Sequence, residues 1–204
     1  IPELGWMIIG ERMNEGAFLY VGIWDDIGPL SAWVYQGFDA LFGRSHLALQ
    51  IGGLLLFYLQ IFYMNYIALR HKLYNENNYL PAFFYGLLGL LVFNLMTLSP
   101  QLMGMIFVLL SMNSLFSHVE SRNKVDGNLL NMGIFLGIAT LFYLPYFLMI
   151  FMLVAGLLFF TNTIARRYLL LLYGFGIPLV ICWLVYLRTG NTYELYANYF
   201  HGLF

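Results

Sequence analysis

The chain has 204 residues, of which 61% are hydrophobic, 19% aromatic and only 9% charged, and its net charge is −1. A soluble domain carries about 25% charged residues, so this chain is too apolar to meet water on all sides, and it has no basic footprint for a nucleic-acid partner. One cysteine, Cys182, excludes an internal disulfide framework.

The sequence opens at Ile1 with no basic stretch ahead of an apolar one. No cleavable leader is read in it, and a further N-terminal segment with room for one more helix is expected before it. Residues 1–44 are acidic, aromatic and punctuated by glycines. A short helix is predicted over 1–13, ended by Gly16. Trp24-Asp25-Asp26-Ile27-Gly28-Pro29 reads as a turn. Pro29 suits the first turn of a second helix, from 30 to about 42, with Asp25 or Asp26 near its N-terminus. On that helix Leu30, Trp33, Val34, Gly37, Phe38 and Leu41 share a face. An aromatic, amphipathic segment of this kind lies flat in a membrane interface.

Four stretches then carry no Asp, Glu, Lys or Arg: 45–69, 77–119, 127–165 and 168–187. One bilayer crossing needs about 20 helical residues. The first and last stretches are one crossing each. The two middle ones are about twice as long and each reads as a helix pair. Ser99-Pro100 and Pro145 stand where the turns are needed, because proline removes a backbone donor and disfavours helix just before it. The expected fold class is all-α: a polytopic helical membrane protein with about six crossings and outer interfacial helices. A closed barrel is excluded, since its strands would alternate apolar and polar residues. Gly133 and Gly137 form a small-xxx-small pattern for close helix packing. Gly174, Gly176 and Pro178 predict a thinned or kinked last helix. Gln50, Gln60, Asn65, Asn94 and Asn113 are expected to bond across helices. Tyr193, Tyr196, Tyr199 and Phe200 suggest another interfacial helix within 191–204. The chain thus divides into an outer loop (1–44), a transmembrane region (45–187) and an outer aromatic tail (188–204).

Lys/Arg bias orients such proteins. With the loop at 70–79 inside, the inner loops hold Arg70, Lys72, Arg122, Lys124, Arg166 and Arg167, six of nine basic residues. Seven of ten acids fall outside: Glu3, Glu11, Glu15, Asp25, Asp26, Asp39 and Glu194. Acids contribute little to topology, so their excess points to function on the outer face.

Several chemistries have no residues to carry them. No crossing holds Asp, Glu, Lys or Arg at depth, as a proton-coupled transporter or pump needs. There is no phosphate-cradling Gly-Lys loop, redox cysteine pair or haem-type histidine pair. His46, His71, His118 and His201 are scattered, and zinc needs three or four converging ligands, so no metal site is read from them.

One constellation remains. Glu3, Glu11-Arg12-Met13 and Glu15-Gly16 are followed by Tyr20, Trp24-Asp25-Asp26 and Gly28-Pro29-Leu30. An amphipathic helix then ends in Leu41-Phe42-Gly43-Arg44-Ser45. Over about residues 3–55 this resembles the first extracytoplasmic loop of the GT-C glycosyltransferases, such as the protein mannosyltransferases and the aminoarabinose transferase of lipid A. Gly28-Pro29-Leu30 stands for their Pro-Pro-Leu element, Leu41-Phe42-Gly43 for their Leu-Phe-Gly stretch, and Pro2-Glu3 for their acidic pair, with proline in place of the first acid. The later layout is also shared by bacterial membrane proteins, those of the Bacteroidota among them. The resemblance implies transfer of a sugar from a polyprenyl-phosphate donor to an acceptor, at the outer face of a bacterial inner membrane. It makes Glu3 the candidate base, with Glu11, Asp25 and Asp26 as further acids. Arg12, Arg44 and Arg188 are the candidate phosphate cations, Arg44 the best placed of them. Tyr20, Trp24 and Trp33 are candidates to stack on a sugar. No cofactor follows from the residues, although the chemistry leaves room for a divalent cation. The implied partners are the bilayer and the lipid-linked donor. The alternative is a non-catalytic subunit of a larger membrane assembly, with the acidic loop docking on partner proteins.

Overall fold

The computed structural model describes residues 2–21, 23, 27–74, 79–91, 97–120, 126–160, 165–190, 192–195, 197 and 199. Its first helix, α1 (Pro2–Asn14), stops as the sequence predicts, at Gly16. The Gly16 N–H bonds Met13 O at 3.2 Å and the Ala17 N–H bonds Arg12 O at 3.0 Å. This double closure needs a left-handed residue, and Gly16 supplies it with φ +94°.

The second helix, α2 (Pro29–Phe42), has its proline at the first position and folds back on α1. Trp6 stacks on Tyr35 with centroids 5.7 Å apart. A Cβ on Gly10 would sit 2.6 Å from Tyr35 O, so only glycine permits this approach. The Asn14 amide donates to Gln36 O at 3.2 Å and to the Asp39 carboxylate at 2.8 Å. The buried face of α2 is Pro29, Ser31, Ala32 and Tyr35, and the apolar stripe expected to lie in a membrane interface is left off the bundle. Trp33, Gly37 and Leu41 of that stripe are exposed, and Leu30, Val34 and Phe38 are half-buried. Small Ser31 and Ala32 allow backbone-close docking on the bundle, and the larger side chains are left facing outward, as an interfacial helix requires.

The bundle consists of α3 (His46–Arg70), α4 (Leu80–Leu91), α5 (Pro100–Glu120), α6 (Asp126–Phe142), a 3₁₀ turn (Leu144–Leu148), α7 (Met149–Phe160), α8 (Ala165–Thr189) and the short α9 (Thr192–Leu195). No strand occurs among the described residues. Both prolines stand at the expected turns. Pro100 starts α5, capped by Ser99 Oγ, which accepts the Leu102 N–H at 3.2 Å. Pro145 lies in the 3₁₀ turn. Three helices are long and apolar enough to cross a membrane by length and composition: His46–Arg70, Pro100–Glu120 and Ala165–Arg188. The shorter apolar segments Leu80–Leu91, Asp126–Phe142 and Leu144–Phe160 occupy the places of the other expected crossings. The chain is an all-α membrane protein. Outward-facing Leu54, Leu55, Tyr58, Leu59 and Phe62 on α3 are the side chains that lipid would cover.

Helix α6 is the axis of the bundle. Leu129, Met132, Leu136 and Ala139 are fully buried on it. Its glycines meet α8 as the small-residue pattern predicts. A Cβ on Gly133 would fall on Leu171 O, and one on Gly137 would sit 2.6 Å from Phe175 O. Gly174 answers from α8, where a Cβ would strike Leu130 O. On the other side Ser111 of α5 donates to Met132 O at 2.9 Å.

Two polar clusters tie the remaining helices. Buried Gln60 on α3 donates to Leu102 O at 2.7 Å and accepts from the Tyr85 hydroxyl at 2.8 Å, linking α3, α4 and α5. Just past the C-terminal end of α3, buried His71 bonds the Glu120 carboxylate through Nδ1 and Asn113 Oδ1 through Nε2, both at 2.9 Å. Gln60 and Asn113 thus bond across helices as expected, while Asn94 lies outside the described residues. Replacing His71 with Ala removes its hydrogen bonds to half-buried Asn113 and to Glu120. Each such bond is worth about 0.5–1.5 kcal/mol net, and more to a charged group. The expected result is a lower denaturation midpoint in detergent, with His71→Gln intermediate.

Candidate functional site

The candidate site begins with a turn. Helix α2 ends at Phe42, and Gly43 adopts φ +60°, a region that favours glycine. Ser45 caps α3 by accepting the Ala48 N–H at 3.4 Å. Between them this reversal places Arg44 and His46 against α1. On α1, Glu3 and Glu11 are eight residues apart, about 12 Å along the axis. Each finds a partner on the turn: the Glu3 carboxylate meets His46 Nε2, and Glu11 pairs with Arg44 at 3.3 Å. Glu3 is the more enclosed of the first pair, its side chain 19% exposed against 44% for His46.

Beneath these pairs a small cavity is bounded by Trp6, Tyr35, Asp39, Gly43 and Leu49. Phe38, Ser45 and Ala48 line it too, and they also line a neighbouring groove of about 370 Å³. That groove is otherwise apolar, running past Phe42, Leu47, Ile51 and Leu55 along the start of α3. Carboxylates, a guanidinium and an imidazole therefore stand at one corner, next to an apolar channel. Such a corner can bind an amphiphile with an anionic head, since Arg forks onto phosphate and the groove accepts a chain.

The other candidates are placed differently. Arg12 is exposed in the last turn of α1, and Arg188 is exposed in the last turn of α8. Neither has an ion pair among those described. Trp33 is 39% exposed on the outer side of α2. Tyr20 is enclosed, with 1% exposure. Its hydroxyl donates to Ile27 O, and its ring lies about 6 Å from those of Tyr186 and Tyr199, so it is structural in this arrangement. Trp24, Asp25 and Asp26 lie outside the described residues. Tyr199, in the C-terminal segment, donates to Thr140 O, and burial pushes its hydroxyl well above the usual phenol range. Among the described residues no three His, Cys, Asp or Glu side chains converge on a metal position. Glu3 and His46 offer two donors where zinc takes three or four.

His46 was not foreseen as part of the site. Its partner is 43 residues away, beyond any local spacing rule. The only hint was its place one residue after the helix-capping Ser45.

A family model described as Dolichyl-phosphate-mannose-protein mannosyltransferase matches residues 26–186. The chain belongs to the dolichyl-phosphate-mannose-protein mannosyltransferase family. No curated protein and no solved structure gave a significant match. The family match runs from just before α2 to near the end of α8, well past the 3–55 stretch on which the resemblance first rested. Asp26, Trp33, Arg44 and His46 fall within it. Glu3, Glu11, Arg12, Tyr20, Trp24 and Asp25 precede it, and Arg188 follows it. The protein is therefore a glycosyltransferase-like membrane protein of this family, with its acid-bearing α1 outside the matched stretch.

Proposed function

We propose that this protein transfers a sugar from a polyprenyl-phosphate donor to an acceptor hydroxyl, at the extracytoplasmic face of a bacterial inner membrane that it crosses about six times. One observation carries the reading: two ion pairs, Glu3–His46 and Glu11–Arg44, flank the turn at Ser45, which borders an apolar groove. In this reading the prenyl chain lies along Phe42, Ile51 and Leu55, and Arg44 holds the phosphate. The Arg44–Glu11 pair is half-exposed, and pairs of that kind are worth about 0–1 kcal/mol. Exchanging Glu11 for a bidentate phosphate is therefore inexpensive.

The chemistry is a displacement at the sugar C1. The acceptor hydroxyl attacks C1 as Glu3 takes its proton, and the polyprenyl phosphate departs with the electron pair of the broken C1–O bond. A carboxylate within hydrogen-bond reach is sufficient for that proton transfer. Trp33, Trp24 and the acids Asp25 and Asp26 remain candidates to flank the sugar, and Arg12 and Arg188 to assist with charge.

The test is turnover of dolichyl-phosphate mannose by the purified protein in liposomes, counted as mannose moved to a threonine-containing peptide or released to water. Arg44→Ala is expected to raise the donor KM about tenfold or more, the loss of one charge-assisted contact, with a smaller change in kcat. The second reading, a non-catalytic membrane subunit, draws on the same ion pairs, which close the acidic hairpin onto the bundle as a docking surface. No turnover, together with co-purification of a stoichiometric membrane protein that covers α1, favours that reading instead.

A further inference from the structure

The Glu3–His46 contact raises a question that the transfer chemistry leaves open: where the proton goes once Glu3 has taken it. Glu3 is four-fifths covered, wedged between α1 and the start of α3, while His46 is nearly half-exposed. The imidazole thus stands between the carboxylate and bulk water. The other charged groups around it are accounted for. Arg44, two residues earlier, is held by Glu11, and Asp39 on α2 is held by Asn14. Glu11, which phosphate would release from Arg44, stands about 12 Å from Glu3 along α1.

We infer that His46 is the proton outlet of Glu3. This inference rests on the reading of Glu3 as the base. The contact engages Oε2 of Glu3, and Oε1 is offered to the acceptor hydroxyl. The hydroxyl proton moves to Glu3, passes to the imidazole and leaves to water, which restores the carboxylate for the next turnover. Histidine suits the task because both its forms are accessible near neutral pH. His46 touches no substrate in this scheme. It acts through Glu3, as a positioning residue that also discharges it.

His46→Gln separates the two roles. Glutamine still donates a hydrogen bond to Glu3 and keeps α1 on the turn, but it cannot carry a proton. His46→Ala loses both functions. The assay is dolichyl-phosphate mannose in liposomes with the full chain, and each variant is first checked by its thermal midpoint in detergent. The expected result is a kcat about tenfold or more below native for both variants, smaller than the roughly 10²–10⁴-fold that a directly acting acid–base group contributes. The donor KM should stay unchanged. Added imidazole should restore His46→Ala, where space has opened, and not His46→Gln. His46→Gln at the native rate overturns the outlet while leaving Glu3 as base, provided that Glu3→Gln is inactive. Glu3→Gln at the native rate overturns the underlying reading and the outlet with it.

Discussion

Glu3→Gln is expected to slow sugar transfer by about 10²–10⁴-fold, the range that a positioned general base supplies, with little change in stability. The substitution keeps the side chain's shape and an oxygen able to accept from His46, so α1 should remain docked. The hairpin is also held independently by the Trp6–Tyr35 stack and the Asn14–Asp39 bond. The informative control is Glu11→Gln. It breaks an exposed pair worth about 0–1 kcal/mol and should leave kcat within a few-fold of native. The measurement is kcat and thermal midpoint for both variants side by side. If both lose activity equally, the role of the corner is electrostatic and no single acid is the base. If neither does, Glu3 is not part of the mechanism.

The second large effect is structural. Gly133→Ala should lower stability by about 1–3 kcal/mol, the usual cost of overpacking, and Gly133→Leu should prevent recovery of folded protein. The reason is geometric: a Cβ at Gly133 lands on the backbone of α8 at Leu171, Gly174 and Phe175, and backbone cannot rotate aside as a side chain can. Gly176 is the matched control. It lies on the same helix pair, but a Cβ there meets nothing within 4 Å. Gly176→Ala should be neutral or stabilising by up to about 1 kcal/mol, through helix propensity. Denaturation midpoints in detergent for the three variants decide the matter. Equal losses at 133 and 176 would mean that α6 and α8 do not pack by this contact.

The order of helices was legible because charge and proline mark the ends of apolar runs. Pro29, Pro100 and Pro145 each sit where a new element begins, and Gly16 closes α1. The close contact of α6 and α8 was readable from Gly133 and Gly137, since a spacing of four repeats on one helix face. Which face of α2 packs was not readable. Hydrophobicity set Trp33 and Leu41 on a membrane-facing stripe but did not mark the face that the bundle takes, Ser31 and Ala32, whose virtue is small size. Three of the four residues of the polar corner followed from the resemblance: Glu3, Glu11 and Arg44. Their pairing, and the part of His46, depend on a hairpin and a turn that bring distant residues together, and pattern rules do not reach across 43 positions. Tyr20 illustrates the converse error. An aromatic in a polar loop suggests ligand stacking, yet tertiary packing encloses it between Tyr186 and Tyr199.

The far end of α6 has a bearing on how the protein is made. The last carbonyls of a helix lack intrahelical partners, and here outside groups satisfy them. Ser31 donates to Phe142 O at 2.9 Å across 111 positions, and Tyr199 donates to Thr140 O from 59 positions downstream. Gly28 presses against Leu141 O and Phe142 O. The hairpin of α1 and α2 therefore has its berth built by the ribosome more than a hundred residues later. During biogenesis the acidic hairpin must wait undocked from α6, although the residues of its polar corner all lie within the first 46 positions.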